Sequence, residues 1–166
     1  MGETARLTFR KLTIDDANIC AALDFKSFGE RDAWSSEDFF TAALNKNFEF
    51  IVAEKYGQII ACAGAEIYHD GTAEIDSIAV DADFRGQGIG KILLVKLLNA
   101  IIERGATFVV LEVRPSNTAA IKLYEGFGFE IVDREKNFYG DEDAWIMARE
   151  FERSNYDERD FSSNDD

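Results

Sequence analysis

The chain has 166 residues, of which 46% are hydrophobic and 13% aromatic, and this composition is that of a globular protein with a full core. Its 32 acidic residues outnumber 18 basic ones and give a formal net charge of -14, which argues against general binding to nucleic acid or anionic membranes. Such a surface suits a cationic partner such as a basic peptide, and plain solubility or adaptation to salt explains it equally well.

The first half of the chain predicts a strand, two helices and a three-stranded antiparallel meander. Residues 7–12 alternate weakly as a strand, Thr13 and Ser35 are helix caps, and residues 28–34 form a polar connection. The spacing of Ser35 and Asp38 only approximates a capping box, in which Glu or Gln is preferred at the later position. The predicted meander strands and turns lie at residues 48–54, 56–58, 59–68, 70–71 and 72–80.

The second half changes to helix, strand, helix, strand, which favours parallel neighbours. The helix after residue 88 is too apolar for an ordinary surface helix, and the strand at 108–111 is nearly continuously apolar, as in a sheet covered on both faces. A short helix then reaches residue 125, and a final pair of strands is expected at 129–132 and 144–148. These elements predict an α/β fold with a mixed, twisted sheet of about seven strands and helices on both faces.

The composition predicts the domain boundaries and the cellular compartment. We expect one domain over residues 1–150 and a disordered acidic tail over 151–166. Cys20 and Cys62 are too few for a disulfide framework and are expected to be buried thiols. The first ten residues lack an apolar core of signal-peptide length, and no apolar run approaches a membrane span, so a reduced, cytoplasmic setting is expected.

A glycine-rich segment, called the glycine loop here, links the last meander strand to the apolar helix. Glycines let a backbone approach a ligand closely, and a helix N-terminus favours an anion such as phosphate. The spacing fits neither the dinucleotide fingerprint, which needs glycine at position 91, nor a P-loop. We predict anion binding, with a simple connecting turn as the alternative. The loop consists of Arg85, Gly86, Gln87, Gly88, Ile89, Gly90 and Lys91.

Three further residues are candidates for chemistry. Glu112 lies in an apolar strand and points away from its two apolar neighbours, either into a cleft as a base or onto a solvated face beside Arg114. Tyr124 suits either a proton donor or a core aromatic on a short helix. Asn117 is either a ligand contact or the N-cap of that short helix.

Other kinds of catalytic centre find no support in the sequence. His69, the single histidine, lies in a turn and is expected to be exposed and inert. The sequence has no cluster of metal ligands and no Ser-His-Asp or Cys-His constellation. We therefore expect no metal site and no covalent enzyme intermediate.

These residues resemble the GCN5-related N-acetyltransferase family. Its acetyl-coenzyme A signature, Gln/Arg-x-x-Gly-x-Gly/Ala, is matched by residues 85–90 between a strand and a long apolar helix. Residues 111–129, 137–139, 142–144 and 147–148, and the Trp34-Ser35 pair, are similar to the ribosomal-protein-alanine and archaeal protein N-terminal branches. The resemblance covers about residues 7–149.

The resemblance implies transfer of the acetyl group of acetyl-coenzyme A to the free α-amino group of a protein N-terminus, for example that of a ribosomal protein. It implies that Glu112 is the base and Tyr124 the acid, and that Trp34 and Tyr139 contact the acceptor. Without a covalent acyl-enzyme, the acetyl group would pass directly to the amine in a ternary complex, with a backbone N–H of residues 78–80 polarising the thioester carbonyl. Phe138 stands where the family commonly has a second tyrosine, which removes one hydroxyl. The implied contacts of acetyl-coenzyme A are Ile78, Ala79, Val80, Arg85, Gly86, Gln87, Gly88, Ile89, Gly90, Lys91 and Asn117.

Two other functions stay open at this stage, because a fold does not fix a substrate. One is acetylation of a small-molecule amine or of a lysine side chain. The other is a non-catalytic module that binds acetyl-coenzyme A, which the presence of both Glu112 and Tyr124 disfavours.

Overall fold

The structure, a computed structural model, describes residues 5–152. Its strands are β1 (Thr8–Lys11), β2 (Phe48–Lys55), β3 (Gln58–Ile67), β4 (Thr72–Val80), β5 (Phe108–Val113), β6 (Glu130–Glu135) and β7 (Ala144–Glu150). Its α-helices are α1 (Ala17–Asp32), α2 (Ser36–Leu44), α3 (Ile89–Glu103) and α4 (Thr118–Gly126). The strands form one mixed sheet in the order β1-β2-β3-β4-β5-β7-β6, which confirms the predicted α/β fold.

Packing divides the described part of the chain into two compact units. The first unit comprises the chain up to Ala65 together with Asp76–Leu97, and the second comprises Glu66–Ile75 and the chain from Leu98 onward. The predicted single domain over residues 1–150 stays a prediction.

The first unit contains β1, its partner β2 and the first turn of the predicted meander. Strand β1 pairs antiparallel with β2, from Thr8 opposite Glu54 to Lys11 opposite Ile51. The turn between β2 and β3 uses positive φ angles at Tyr56 (55°) and Gly57 (71°), as a tight hairpin turn requires.

The core of the first unit is built around an aromatic cluster. The Phe50 ring lies 5.7 Å from Phe39 and 6.3 Å from Phe48, and Gly64 faces it so closely that a Cβ there would overlap the ring. The thiols of Cys20 and Cys62 are buried and free, as expected from the sequence. Glycine at position 64 is therefore a packing requirement of this core.

Helix α2 begins at the predicted cap, whereas Thr13 caps a short 3-10 helix (Ile14–Asp16) that precedes α1. The Ser35 N–H donates to Asp38 Oδ2 (2.8 Å) and the Asp38 N–H donates to Ser35 Oγ (3.1 Å), so aspartate completes the capping box. The predicted connection at 28–34 is partly wrong, because α1 extends to Asp32 across a kink at Gly29. The kink arises because Gly29 alone in α1 has non-helical angles (φ 79°, ψ 173°).

The second unit contains the parallel pair and the final hairpin. Strands β4 and β5 pair in parallel from Thr72 opposite Phe108 to Glu74 opposite Val110, as predicted. Strand β7 pairs antiparallel with both β5 and β6, and so lies between them. The parallel arrangement therefore ends at β5, because the last two strands add to the sheet as a hairpin.

Strand β5 is open on one face, unlike the expectation of cover on both faces. Val109, Leu111 and Val113 are buried, whereas Phe108 is 37% exposed. Glu112 is half-buried on the same side as Phe108, away from its apolar neighbours as predicted.

The chain after β7 remains packed at first. Phe151, which the composition assigned to the tail, is buried, and its N–H donates to the carbonyl of Thr107 (2.8 Å). Its ring lies 6.4 Å from that of Phe129. Residues 153–166 of the predicted tail lie outside the described residues.

Candidate active site

The glycine loop of the first unit directs backbone N–H groups outward at the start of α3. The first backbone bond of the helix runs from the Ile92 N–H to the Gly88 carbonyl (3.1 Å). The N–H groups of the preceding helical residues therefore have no intrahelical acceptor. Gly86 (φ 75°) and Gly88 (φ 76°) adopt left-handed conformations that suit glycine.

The glycine loop leaves room for a ligand beside its backbone. A Cβ placed on Gly86 or Gly88 would meet nothing within 4 Å, so open space lies beside both residues. A Cβ on Gly90 would make an ordinary contact with Val80 Cγ2 at 3.6 Å. The Ile89 side chain is buried, so only its backbone can meet a ligand.

Arg85 braces the loop from within the first unit. Its Nε donates to the Val80 carbonyl (3.0 Å), and its Nη2 lies 3.4 Å from Ser27 Oγ. The Val80 carbonyl is thus occupied by the protein. The predicted contacts of Arg85, Gln87 and Lys91 with an anion stay predictions.

The end of β4 carries the other predicted contacts of the first unit. The β4–β5 ladder pairs Thr72–Glu74 with Phe108–Val110 and does not extend to Ile78, Ala79 or Val80. Ala79 is buried, whereas Ile78 and Val80 are half-buried. The role of their backbone groups toward a cofactor stays a prediction.

Trp34 is placed in the aromatic cluster of the first unit. Its ring lies 5.2 Å from Phe50, and its backbone N–H donates to Asp24 Oδ2 (2.8 Å). Asp24 is buried, accepts a second bond from Ser77 Oγ (2.5 Å), and has a pKa that burial raises above its ordinary value. These contacts give Trp34 a packing role, and its predicted contact with the acceptor stays a prediction.

Glu112 lies in the second unit with the properties of a base. Burial and the neighbouring Glu74 carboxyl raise the pKa of Glu112 to about 7. Strand β7 places the apolar Ile146 opposite it. Arg114, the ion-pair partner considered from the sequence, pairs with Asp141 (2.8 Å) and Glu142 (3.2 Å).

Sequence reasoning missed Glu74. This residue lies on β4 opposite Val110, and the alternating burial of both strands puts Glu74, Val110 and Glu112 on the same face. Alternation and parallel pairing were both predictable. The register that brings the two glutamates together was not.

Tyr124 lies on α4 in the second unit and is 8% exposed. Its ring packs edge-on against Phe129 at 5.8 Å. Burial, and then the nearby Tyr139, raise the pKa of Tyr124 above its ordinary value, so the hydroxyl keeps its proton. Asn117 caps this helix, because its Oδ1 accepts from the Ala120 N–H (3.2 Å), which leaves the Nδ2 group for a ligand.

Tyr139 lies in the connection between β6 and β7, called the 137–143 loop here. The Arg114 guanidinium stacks on its ring at 4.2 Å, and its N–H donates to the Glu142 carbonyl (3.1 Å). Glu142 in turn accepts from the Ser116 N–H (2.7 Å) and hydroxyl (2.8 Å). Phe138, beside Tyr139, is 45% exposed.

Two kinds of feature are absent from the described residues: a metal site and a membrane-spanning helix. Among residues 5–152, no three His, Cys, Asp or Glu side chains are arranged to hold a metal ion. None of the helices in that range combines the length and apolarity needed to cross a bilayer. His69 is exposed, as expected.

Known proteins resemble both the sequence and the fold. The Acetyltransferase (GNAT) family profile matches residues 16–129. The [ribosomal protein bS18]-alanine N-acetyltransferase of Escherichia coli (strain K12) is 34% identical over 140 residues, which cover 82% of this chain and 93% of that protein. The N-alpha-acetyltransferase RimI of Mycobacterium tuberculosis is 33% identical over 155 residues, covering 89% and 95%.

Solved structures agree with these relatives. The ribosomal-protein-S18-alanine N-acetyltransferase from Escherichia coli has a TM-score of 0.79 at 30% identity, with 92% of this chain and 100% of that chain covered. The PaiA N-acetyltransferase of Thermoplasma acidophilum in complex with coenzyme A has a TM-score of 0.74 at 19% identity, with 88% and 99% covered. The chain belongs to the GNAT acetyltransferase family and is an acetyl-coenzyme A-dependent N-acetyltransferase.

Proposed function

We propose that this enzyme acetylates the free α-amino group of a protein N-terminus, in the manner of the ribosomal-protein-alanine N-acetyltransferases. The observation that carries the proposal is Glu112, a half-buried carboxyl whose pKa is raised to about 7. A base is most effective when its pKa lies near the working pH. The names of the 33–34% identical relatives support the same acceptor.

The pKa of Glu112 suits an α-amino group better than a lysine side chain. An α-ammonium group has a pKa of about 7.7–8.0, so passing its proton to Glu112 costs about 1 kcal/mol. A lysine side chain has a pKa of about 10.4, and the same transfer costs about 4–5 kcal/mol. The difference of about 3 kcal/mol favours an N-terminal acceptor.

The glycine loop would hold acetyl-coenzyme A, which supplies the activated acetyl group. The N–H groups at the start of α3 would donate to the phosphates, and Lys91 would add positive charge to a protein of net charge -14. Backbone groups of residues 78–80 and the Asn117 Nδ2 would contact the pantetheine arm.

Two side chains of the second unit would move the protons. Glu112 would accept one proton from the acceptor's ammonium group, which leaves a neutral amine whose lone pair attacks the acetyl carbonyl carbon. The Tyr124 hydroxyl would donate a proton to the sulfur as its bond to the acetyl group breaks, and the second proton, which the attacking nitrogen loses as the amide forms, would restore the Tyr124 hydroxyl. Burial of Tyr124 supports the donor role, because it keeps the hydroxyl protonated.

The 137–143 loop would contact the acceptor peptide. Its ion pairs with Arg114 and its bonds to Ser116 hold Tyr139 in a fixed conformation before any peptide binds. The excess of acidic residues in the chain suits a basic acceptor such as a ribosomal protein.

The experiment that tests the function is thiol release from acetyl-coenzyme A with matched acceptors. The panel contains a peptide beginning with alanine, the same peptide with a blocked N-terminus and an internal lysine, and a free polyamine. We expect turnover with the free N-terminus alone. Turnover with the blocked peptide or the polyamine would reassign the acceptor to a lysine side chain or a small amine. Binding of acetyl-coenzyme A without turnover on any amine would indicate a non-catalytic module.

A further inference from the structure

The second unit holds a cluster of carboxyl groups beside Glu112. The Tyr68 hydroxyl lies 3.1 Å from Glu66 Oε2 and 3.1 Å from Glu74 Oε2. Glu74 lies on the same face of the paired strands β4 and β5 as Glu112, and Glu135 on β6 adds a weaker repulsion from the other side. Glu112 thus has one carboxyl group on its own face of the sheet and a second at longer range, with the apolar Ile146 opposite it on β7.

A carboxyl group holds its proton more tightly when another carboxylate lies near it, because two negative charges at close range repel each other. Burial and the Glu74 carboxyl, which lies on the same face of the paired strands, together raise the pKa of Glu112 to about 7. The proton affinity of Glu112 therefore depends on the residue at position 74.

Tyr68 fixes the position of Glu74 in this pair. A tyrosine hydroxyl has a single hydrogen to donate, and here two carboxylate oxygens lie within reach of it. Its pKa is raised by burial and by these two glutamates, so it remains a donor throughout the range in which Glu112 titrates. Tyr68 thus holds the Glu74 carboxyl on the face of the sheet that carries Glu112.

We propose that Glu74, anchored by Tyr68 on the same face of the sheet as Glu112, is a positioning residue that controls the orientation and protonation of Glu112 through the repulsion between the two carboxyl groups. This inference rests on the proposed role of Glu112 as the base. Glu74 itself touches neither substrate in this role. It acts through the orientation and the proton occupancy of Glu112.

The direct test is a pH titration of the Glu112 carboxyl carbon by NMR in protein labelled at glutamate, with E112Q identifying the signal. In E74Q we expect the Glu112 midpoint to fall by about one pH unit, because a neighbouring negative charge is lost while burial remains. E135Q is the matched control and should move the midpoint much less. Y68F should move it in the same direction as E74Q by a smaller amount, and it tests the anchor independently if E74Q folds poorly.

The second readout is the pH profile of peptide acetylation. In E74Q the acidic limb should move to lower pH together with the NMR midpoint, while the rate well above both limbs stays within about threefold of wild type. A uniform loss of rate at every pH would indicate a merely structural role and would overturn the proposal. An unchanged midpoint in both E74Q and Y68F, or an equal shift in E135Q, would overturn it as well.

The two readouts separate this inference from the proposed function. If the midpoint moves in E74Q but no N-terminal peptide is acetylated, the coupling stands and the acceptor assignment fails. If peptides are acetylated normally and the midpoint does not move, the acceptor assignment stands and the coupling fails.

Discussion

The glycine loop and the 137–143 loop are both candidates for ligand contacts, yet they are built in opposite ways. The glycine loop offers backbone groups beside open space, and Gly86 and Gly88 have nothing within 4 Å of the position of a Cβ. The 137–143 loop is held by charged side chains, with Arg114 bridging Asp141 and Glu142 and stacking on Tyr139. One loop depends on missing side chains and the other on side chains from distant positions.

The two kinds of loop are therefore sensitive to different substitutions. A backbone site fails when a side chain is added, because the added atoms occupy the ligand's space or strain the backbone. A site held by ion pairs fails when the geometry of a charge changes, even if the charge itself is kept. The predictions below begin with the proposed base and then change one loop at a time.

The largest effect is expected from E112Q. Loss of the base should lower kcat/KM for an N-terminal peptide by about 100- to 10,000-fold and remove the limb near pH 7. Steady-state kinetics from pH 5.5 to pH 9 would measure both effects, with E135Q on β6, two strands away, as the control. If kcat/KM of E112Q still falls with decreasing pH near pH 7, another group titrates at that pH.

A smaller effect, confined to acetyl-coenzyme A, is expected from G88A. The left-handed φ of 76° costs an alanine about 1–2 kcal/mol, and its methyl group enters the open space. The Kd for acetyl-coenzyme A, measured by calorimetry, should rise about tenfold. G90A is the matched control, because its methyl group meets only Val80 at 3.6 Å, and its Kd should stay near wild type. Equal affinities of the two variants would argue against a ligand beside Gly88.

These first two expectations rest on features that are local in sequence. The glycine loop occupies seven consecutive residues, and the alternation around Glu112 spans one strand, so both were predictable. Arg114 lies 27 residues before Asp141, and Glu74 meets Glu112 only through the register of β4 and β5, so neither pairing has a local signal. The Trp34 packing likewise depends on Asp24 and Phe50, which lie in other elements.

A third change, R114K, should weaken the binding of the acceptor peptide without changing that of acetyl-coenzyme A. Lysine keeps the charge but loses the planar fork that bridges Asp141 and Glu142 and the stacking on Tyr139. The KM for the peptide should rise about three- to tenfold while the Kd for acetyl-coenzyme A is unchanged. R104K, at an exposed position of the second unit, is the control. A rise in the Kd for acetyl-coenzyme A would contradict the separation of the two loops.

The smallest expected effect is on stability. Below pH 4.5 the Glu112 carboxyl is protonated in the folded and unfolded states alike. Between pH 4.5 and about 7 the unfolded chain ionises while the folded state resists, so wild-type stability falls as pH rises. For a half-exposed group this loss is about 1 kcal/mol after allowance for solvent screening. Thermal unfolding should therefore show E112Q gaining stability over wild type between pH 5 and pH 8, whereas a constant difference would contradict the raised pKa.

The sheet ends at β6, and this edge bears on how the protein behaves at high concentration. All six residues of β6 are exposed, and Glu130, Asp133, Arg134 and Glu135 carry charge. Its pairing with β7 also shifts register between Ile131 and Asp133, which interrupts a regular row of backbone groups. A strand from another molecule would have to bury charge and match an irregular edge, so β6 protects the sheet from extension into aggregates.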